Sequence, residues 1–158
     1  ALNAQINAEL FSAYMYLSMS AQFEEMNLPG FANWMRVQYE EELSHALKFF
    51  DYVVERGARV RLSALDGPAT EWPSPLDMYE VAYEHEVKVS GLINDLVDLA
   101  IEIKDHATNN FLQWFVAEQV EEEASADGVR QQLRMVKDDA HALFMIDKQL
   151  AVRTLGAE

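Results

Sequence analysis

The sequence predicts an all-α fold, a four-helix bundle with one long crossover and a short fifth helix, and three observations carry that reading. The chain has six Gly and four Pro, and three of the Pro fall between 68 and 75 instead of punctuating many short strands. Apolar or small residues recur at steps of three and four over long stretches, the spacing of a buried helical stripe. One segment, 57–74, has no such period. At 158 residues and 18.0 kDa the chain is expected to form a single domain, 1–158, large enough to bury a core without a disulfide or metal staple.

A first helix is expected over about 1–24, with Leu2, Ile6, Ala13, Leu17 and Phe23 on its buried stripe; Ala1 reads as already inside it. A short turn follows, in which Asn27 can cap and Pro29 suits a first helical turn. The second helix then spans about 29–56 through Phe31, Met35, Gln38, Glu42, His45, Phe49 and Tyr52, and Gly57 stops it. The crossover 57–74 can reach about 60 Å when extended, enough to return along helices of roughly 40 Å. Ser74 and Pro75 make a capped start to a third helix, about 75–104, with Tyr79, Ala82, Glu86, Val89, Ile93, Leu96, Ala100 and Ile103 on one face. After the polar break Lys104–Asp105–His106, a fourth helix covers about 107–136 through Leu112, Phe115, Gln119, Glu122, Ala126, Val129, Leu133 and Val136. Asp138 or Asp139 caps a short fifth helix, about 140–153, whose apolar part is Leu143, Phe144, Ile146 and Leu150.

Each long stripe is interrupted near its middle by a polar residue: Glu9 in the first helix, Glu42 and His45 in the second, Glu86 in the third, Gln119 and Glu122 in the fourth. Any one alone would read as an ordinary paired core residue. The interruptions also agree in height. Glu9 lies about 15 residues before the first turn and Glu42 about 13 after it, a mismatch of roughly 3 Å, and Glu86 and Glu122 each lie about 15 to 18 residues from the next break. Four carboxylates gathered without compensation would lose their hydration and repel one another, at several kcal/mol per ion. No Lys or Arg sits in the middle of these stripes, so two divalent cations are the expected counter-charge. Oxygen ligands with one imidazole suit iron or manganese. Glu42-x-x-His45 sets a carboxylate and an imidazole one turn apart on one face, and Gln119-x-x-Glu122 repeats the spacing. Glu41, Glu118 and Glu121 lie beside the seam, as a further metal site or as solvated acidic faces. His85, His106 and His141 match no second metal motif and are expected in surface or capping roles, and the Met residues read as core filler.

Composition narrows the function further. Twenty-seven acids against twelve Lys and Arg give a formal charge of −15, a surface that repels nucleic acid and anionic lipid and attracts cations. With no cysteine the chain has no disulfide, thiolate zinc site or thiol nucleophile, which fits a reducing compartment. No run approaches the roughly 18 apolar residues of a membrane span, and a cytoplasmic location is expected.

The stretches QINAELFSAYMYLSM, YEEELSHALKFFDYVVERG, YEHEV and NFLQWFVAEQVEEEA carry a resemblance to the non-haem ferritins of bacteria and archaea, in order and with the same separations, across essentially the whole chain. The resemblance implies a ferritin-like di-iron domain in which Glu9, Glu42 and His45 hold one iron and Glu42, Glu86 and Glu122 the second. It implies that Gln119 hydrogen-bonds near the dioxygen site, that Tyr16 and Trp114 supply electrons, and that Glu41, Glu118 and Glu121 form a third, inner site. Bacterioferritins are similar but have a second Glu-x-x-His and a haem-ligating Met; here Gln119, Glu122 and Leu43 stand in those places, so haem is not expected. The acidic cluster that seeds mineral in animal heavy chains is only partly kept, Ser44 and Leu47 lying beyond Glu41.

The implied function is iron storage and detoxification. Ferrous iron is oxidised by dioxygen or peroxide at a ferroxidase centre and passes inward to a ferric mineral. Anionic oxygen ligands favour Fe(III), and Gln119 in place of a charged ligand lets iron leave for storage. Enclosing a mineral needs a homo-oligomeric cage, 24 subunits by the family's precedent, with the fifth helix, Leu62 and Trp72 as candidate contacts. One alternative is a rubrerythrin-like di-iron peroxidase or oxidase that keeps its metals, although it would usually bring a second Glu-x-x-His or an electron-transfer domain. Another is a bundle that binds a redox-inert cation for stability.

Overall fold

The computed structural model describes residues 1–137 and 139–156. They form five helices and no strand: α1 (Leu2–Glu25), α2 (Pro29–Glu55), α3 (Pro75–Glu102), α4 (His106–Val136) and α5 (Ala140–Leu150). Pro29 and Pro75 each open a helix, where a missing N–H costs nothing. The helices α1, α2 and α3 each end on a residue in the left-handed region, Asn27 (φ 59°), Gly57 (φ 72°) and Lys104 (φ 60°). Each end is closed by a pair of backbone bonds; at the first, Leu28 N donates to Phe23 O and Asn27 N to Glu24 O. Asn27 therefore terminates α1 and does not cap α2, whose N-cap position is Leu28. Asp139 caps α5, its carboxylate accepting from His141 N and Ala142 N, and the alternative cap Asp138 lies outside the described residues.

The chain divides into two compact units, Ala1–Pro75 with the segment from Val136 onward, and Leu76–Met135. In the first, α1 and α2 run antiparallel: Phe23 stacks on Phe31, Ser20 Oγ donates to Ala32 O, and Glu9 lies by Glu42. Tyr16, Met19, Phe23, Phe31, Met35 and Phe49 fill the core between them. The connection after Gly57 is pinned along the polar face of α1. Asn3 Nδ2 donates to Arg59 O, Asn7 Nδ2 to Ala64 O, Ser18 Oγ to Ala69 O and Gln22 Nε2 to Trp72 O. Trp72 N returns a bond to Gln22 Oε1 at 2.9 Å. Trp72 is thereby only 9% exposed and corrects the expectation of a free surface contact, whereas Leu62 is exposed.

α5 docks on the start of α2. The buried Asp147 carboxylate accepts Gly30 N at 2.7 Å and Phe31 N at 3.1 Å, satisfying two N–H groups that α2 itself cannot pair. Asn33 Nδ2 donates to the carbonyls of Leu150 and Arg153. Those ties draw the chain out of helix after Leu150, short of the expected 153. Phe144 is 53% exposed and lies off the buried face formed by Ile146, Asp147 and Leu150.

In the second unit, α3 and α4 run antiparallel. Near one end Glu80 accepts Arg134 Nη2 at 2.6 Å and Arg130 Nη1 at 3.3 Å, and Arg130 also pairs with Asp127 and stacks over Tyr83. Further along, Glu86 and Ser90 meet Gln119. Asp105 caps α4 by accepting Thr108 N and Thr108 Oγ1. Ile103 falls beyond the last turn of α3 and is 63% exposed, so it is not part of the buried stripe.

Candidate metal centre

The polar interruptions are buried as the stripes require: Glu9, Glu42, His45, Glu86, Gln119 and Glu122 are each 6% exposed or less. In the first unit, ligand atoms of Glu9, Glu42 and His45 all lie within 4.8 Å of one another. Glu9 comes from the middle of α1, and Glu42 and His45 from one face of α2, where a three-residue step repeats the direction of the side chain. Gln5, one turn before Glu9, donates its Nε2 to Glu9 Oε1 at 2.8 Å. Glu9 Oε2 is equally buried and receives no amide or hydroxyl donor. Burial raises the Glu9 pKa, against the opposing pull of hydrogen bonds with Glu42 and Gln5. The His45 imidazole lies 3.7 Å from Glu42, and its pKa is lowered from 6.5 to about 4 by burial first and by Lys48 second. At neutral pH the imidazole is uncharged, with a lone pair to give, and it brings no positive charge to the two carboxyl groups. A divalent cation bound by two carboxylate oxygens and an imidazole nitrogen fits that donor set, and its arrival displaces any proton held by Glu9.

In the second unit, Gln119 Nε2 donates to the Glu86 carbonyl and to Glu86 Oε2, both at 3.2 Å, and to Ser90 Oγ at 3.3 Å. Glu122 sits one turn beyond Gln119 on the same face of α4. Glu118 is half-buried and Glu121 exposed. Glu41 is half-buried in the first unit and accepts Arg153 Nη2 at 2.8 Å, so a cation at Glu41 competes with a guanidinium. Tyr16 is fully buried, its ring edge-on to Trp34 at 6.3 Å, and Arg153 covers Trp34 at 4.7 Å. Trp114 is 39% exposed and packs edge-on to Phe115. His85 is half-buried, while His106 and His141 are exposed. Burial and Lys88 lower the His85 pKa to about 4.

Sequence reasoning missed Gln5, Ser90, Glu123 and Arg153. The first three were detectable in principle: each stands four residues from a singled-out residue, Glu9, Glu86 or Gln119, on the same helix. Arg153 carries no such signal.

Residues 1–136 match the family model of the ferritin-like domain. This chain belongs to the ferritin family. A bacterial non-haem ferritin of Bacteroides fragilis is 44% identical over 153 residues, 97% of this chain and 95% of that protein. One from Staphylococcus saprophyticus is 38% identical over 154 residues, covering 98% and 92%. Among solved structures, the open-pore ferritin of the hyperthermophilic archaeon Archaeoglobus fulgidus superimposes with a TM-score of 0.96 at 56% identity, covering 97% of this chain and 93% of that one. The fold is the ferritin four-helix bundle with its short fifth helix, and the function of such a ferritin is iron storage.

Proposed function

We propose that this ferritin oxidises Fe(II) at a paired-iron ferroxidase centre and stores the product as a ferric mineral within a homo-oligomeric cage. The buried cluster of Glu9, Glu42 and His45 is the observation that carries the reading, because two carboxyl groups and an uncharged imidazole gathered away from water offer a cation its ligands and gain from its charge. In this reading residues 1–158 act as one domain. Glu9, Glu42 and His45 bind one substrate ion, and Glu86 and Glu122 join Glu42 on the second. Glu41, Glu118 and Glu121 receive iron on its way inward once Arg153 yields Glu41. Tyr16 and Trp114 are electron donors to the oxidant.

Iron enters as Fe(II) and leaves as Fe(III), each ion giving up one electron to dioxygen or peroxide. The carboxylates lower the potential by stabilising the higher charge. His45, uncharged at neutral pH, adds no positive charge to oppose the ions. Gln119 contributes an amide where a charged ligand would hold iron more tightly, so the product is released rather than retained. Nothing in this scheme requires haem. No described helix is long and apolar enough to cross a membrane, and we place the protein in the cytoplasm as a 24-subunit assembly. Aerobic addition of Fe(II) followed by native mass measurement and iron counting tests the reading. The expected result is a large closed assembly holding far more iron than its binding residues can ligate. A lone chain whose iron saturates at those ligands would overturn it.

A further inference from the structure

Gln119 meets three acceptors at the same end of its amide: the Glu86 carbonyl, Glu86 Oε2 and Ser90 Oγ. Ser90 is an acceptor there because its one hydroxyl proton is committed elsewhere, to Glu123 Oε1 at 2.5 Å. The Glu123 oxygen accepts that proton, so Glu123 determines which way it points. Ser90 consequently offers Gln119 a lone pair, and only the NH₂ end of the amide can face it. Turned over, the amide would set its own oxygen against the Glu86 carbonyl, the Glu86 carboxylate and the Ser90 lone pair together.

From this geometry we infer that Ser90 and Glu123 are positioning residues that fix the orientation of the Gln119 amide and, through it, the Glu86 carboxylate. Resting on the ferroxidase reading above, the inference adds a hydrogen-bonded support behind it that runs across α3 and α4, from Glu123 through Ser90 to Gln119 and Glu86. The placement follows from helix geometry: Ser90 is one turn beyond Glu86, and Glu123 one turn beyond Gln119. Removing the hydroxyl takes away the one acceptor outside Glu86 that holds the amide, so the Glu86 carboxylate that the amide donates to is fixed less firmly beside the iron. Losing an orienting partner of this kind slows metal chemistry by about 10-fold or more.

The test is stopped-flow Fe(II) oxidation by the assembled protein, with Ser90→Ala, Ser90→Thr, Gln119→Leu and the double variant Ser90→Ala/Gln119→Leu. Ser90→Ala is expected to be about 10-fold slower than the parent, and Ser90→Thr, which keeps the hydroxyl, to recover most of the rate. In the Gln119→Leu background Ser90→Ala should cost nothing more, since the amide it orients is gone. Parent-like oxidation by Ser90→Ala, failure of Thr to restore the rate, or an undiminished loss in the double variant would each overturn the inference. Glu42→Ala run alongside separates the two levels. If Glu42→Ala is slow and Ser90→Ala is not, the positioning role alone falls; if Glu42→Ala keeps the parent's rate, the ferroxidase reading falls with it.

Discussion

Replacing Glu42 by alanine is expected to slow the initial oxidation of Fe(II) by about 100-fold or more, a barrier increase of roughly 3 kcal/mol, while the chain remains folded. Glu42 is 1% exposed, with a ligand atom within 4.8 Å of those of Glu9 and His45, and in the proposed centre its carboxylate is the one shared by both irons. Without it each ion loses an anionic ligand, and with that ligand the stabilisation of Fe(III) over Fe(II). The fold should tolerate the change because two effects on the metal-free protein oppose each other. Truncation leaves a cavity, which costs on the order of 1–3 kcal/mol. It also removes a buried carboxylate from the side of another, relieving desolvation and repulsion of similar size. Stopped-flow absorbance of the ferric product measures the rate, and thermal unfolding measures the fold. Oxidation at the parent's rate in a folded Glu42→Ala protein would exclude Glu42 as an iron ligand.

Gly30→Ala is expected to cost about 3 kcal/mol or more in stability and to release α5. At an ordinary helical position the same change gains up to about 1 kcal/mol, because alanine loses less backbone entropy. Here the sign reverses for a steric reason. A Cβ on Gly30 would lie 1.7 Å from the Asp147 carbonyl oxygen and 2.5 Å from its carbon, and both atoms are backbone of α5 with no torsion to swing aside. The close approach exists because the Asp147 carboxylate must reach Gly30 N and Phe31 N. A methyl group therefore expels α5 and strips the start of α2 of its cap. Arg153 then leaves Trp34 and Glu41. Chemical denaturation together with limited proteolysis around α5 checks this, and a Gly30→Ala protein as stable and protease-resistant as the parent would contradict the docking described above.

The helices were legible in the sequence because each long one carries an apolar stripe that is decided locally. Prolines 29 and 75 and Gly57 stand where the observed boundaries fall. The convergence of Glu9, Glu42 and His45 was legible for a related reason: a charge on a stripe is conspicuous, and the turn between α1 and α2 is too short to let their heights drift. What escaped depends on contacts between segments distant in sequence. Trp72 looks like a surface residue until Gln22, fifty positions earlier, pairs both of its backbone groups. Asn27 suits a helix start as well as a helix end, and only the left-handed backbone of the α1 terminus decides between them. Arg153 lies beyond α5, and nothing local says that its guanidinium will meet Glu41 and Trp34. Ser90 and Glu123 read as ordinary polar positions, each one residue past a member of its buried stripe, until the hydroxyl and the amide are seen in one chain of bonds.

The central claim, that the buried acids of this ferritin are a seat for iron, is tested most directly by anomalous diffraction at the iron edge from crystals soaked anaerobically in Fe(II). The account predicts a strong anomalous peak enclosed by the Glu9, Glu42 and His45 side chains. Iron found only on the exposed acidic surface, with that cluster closed on itself by protons and hydrogen bonds, would contradict it.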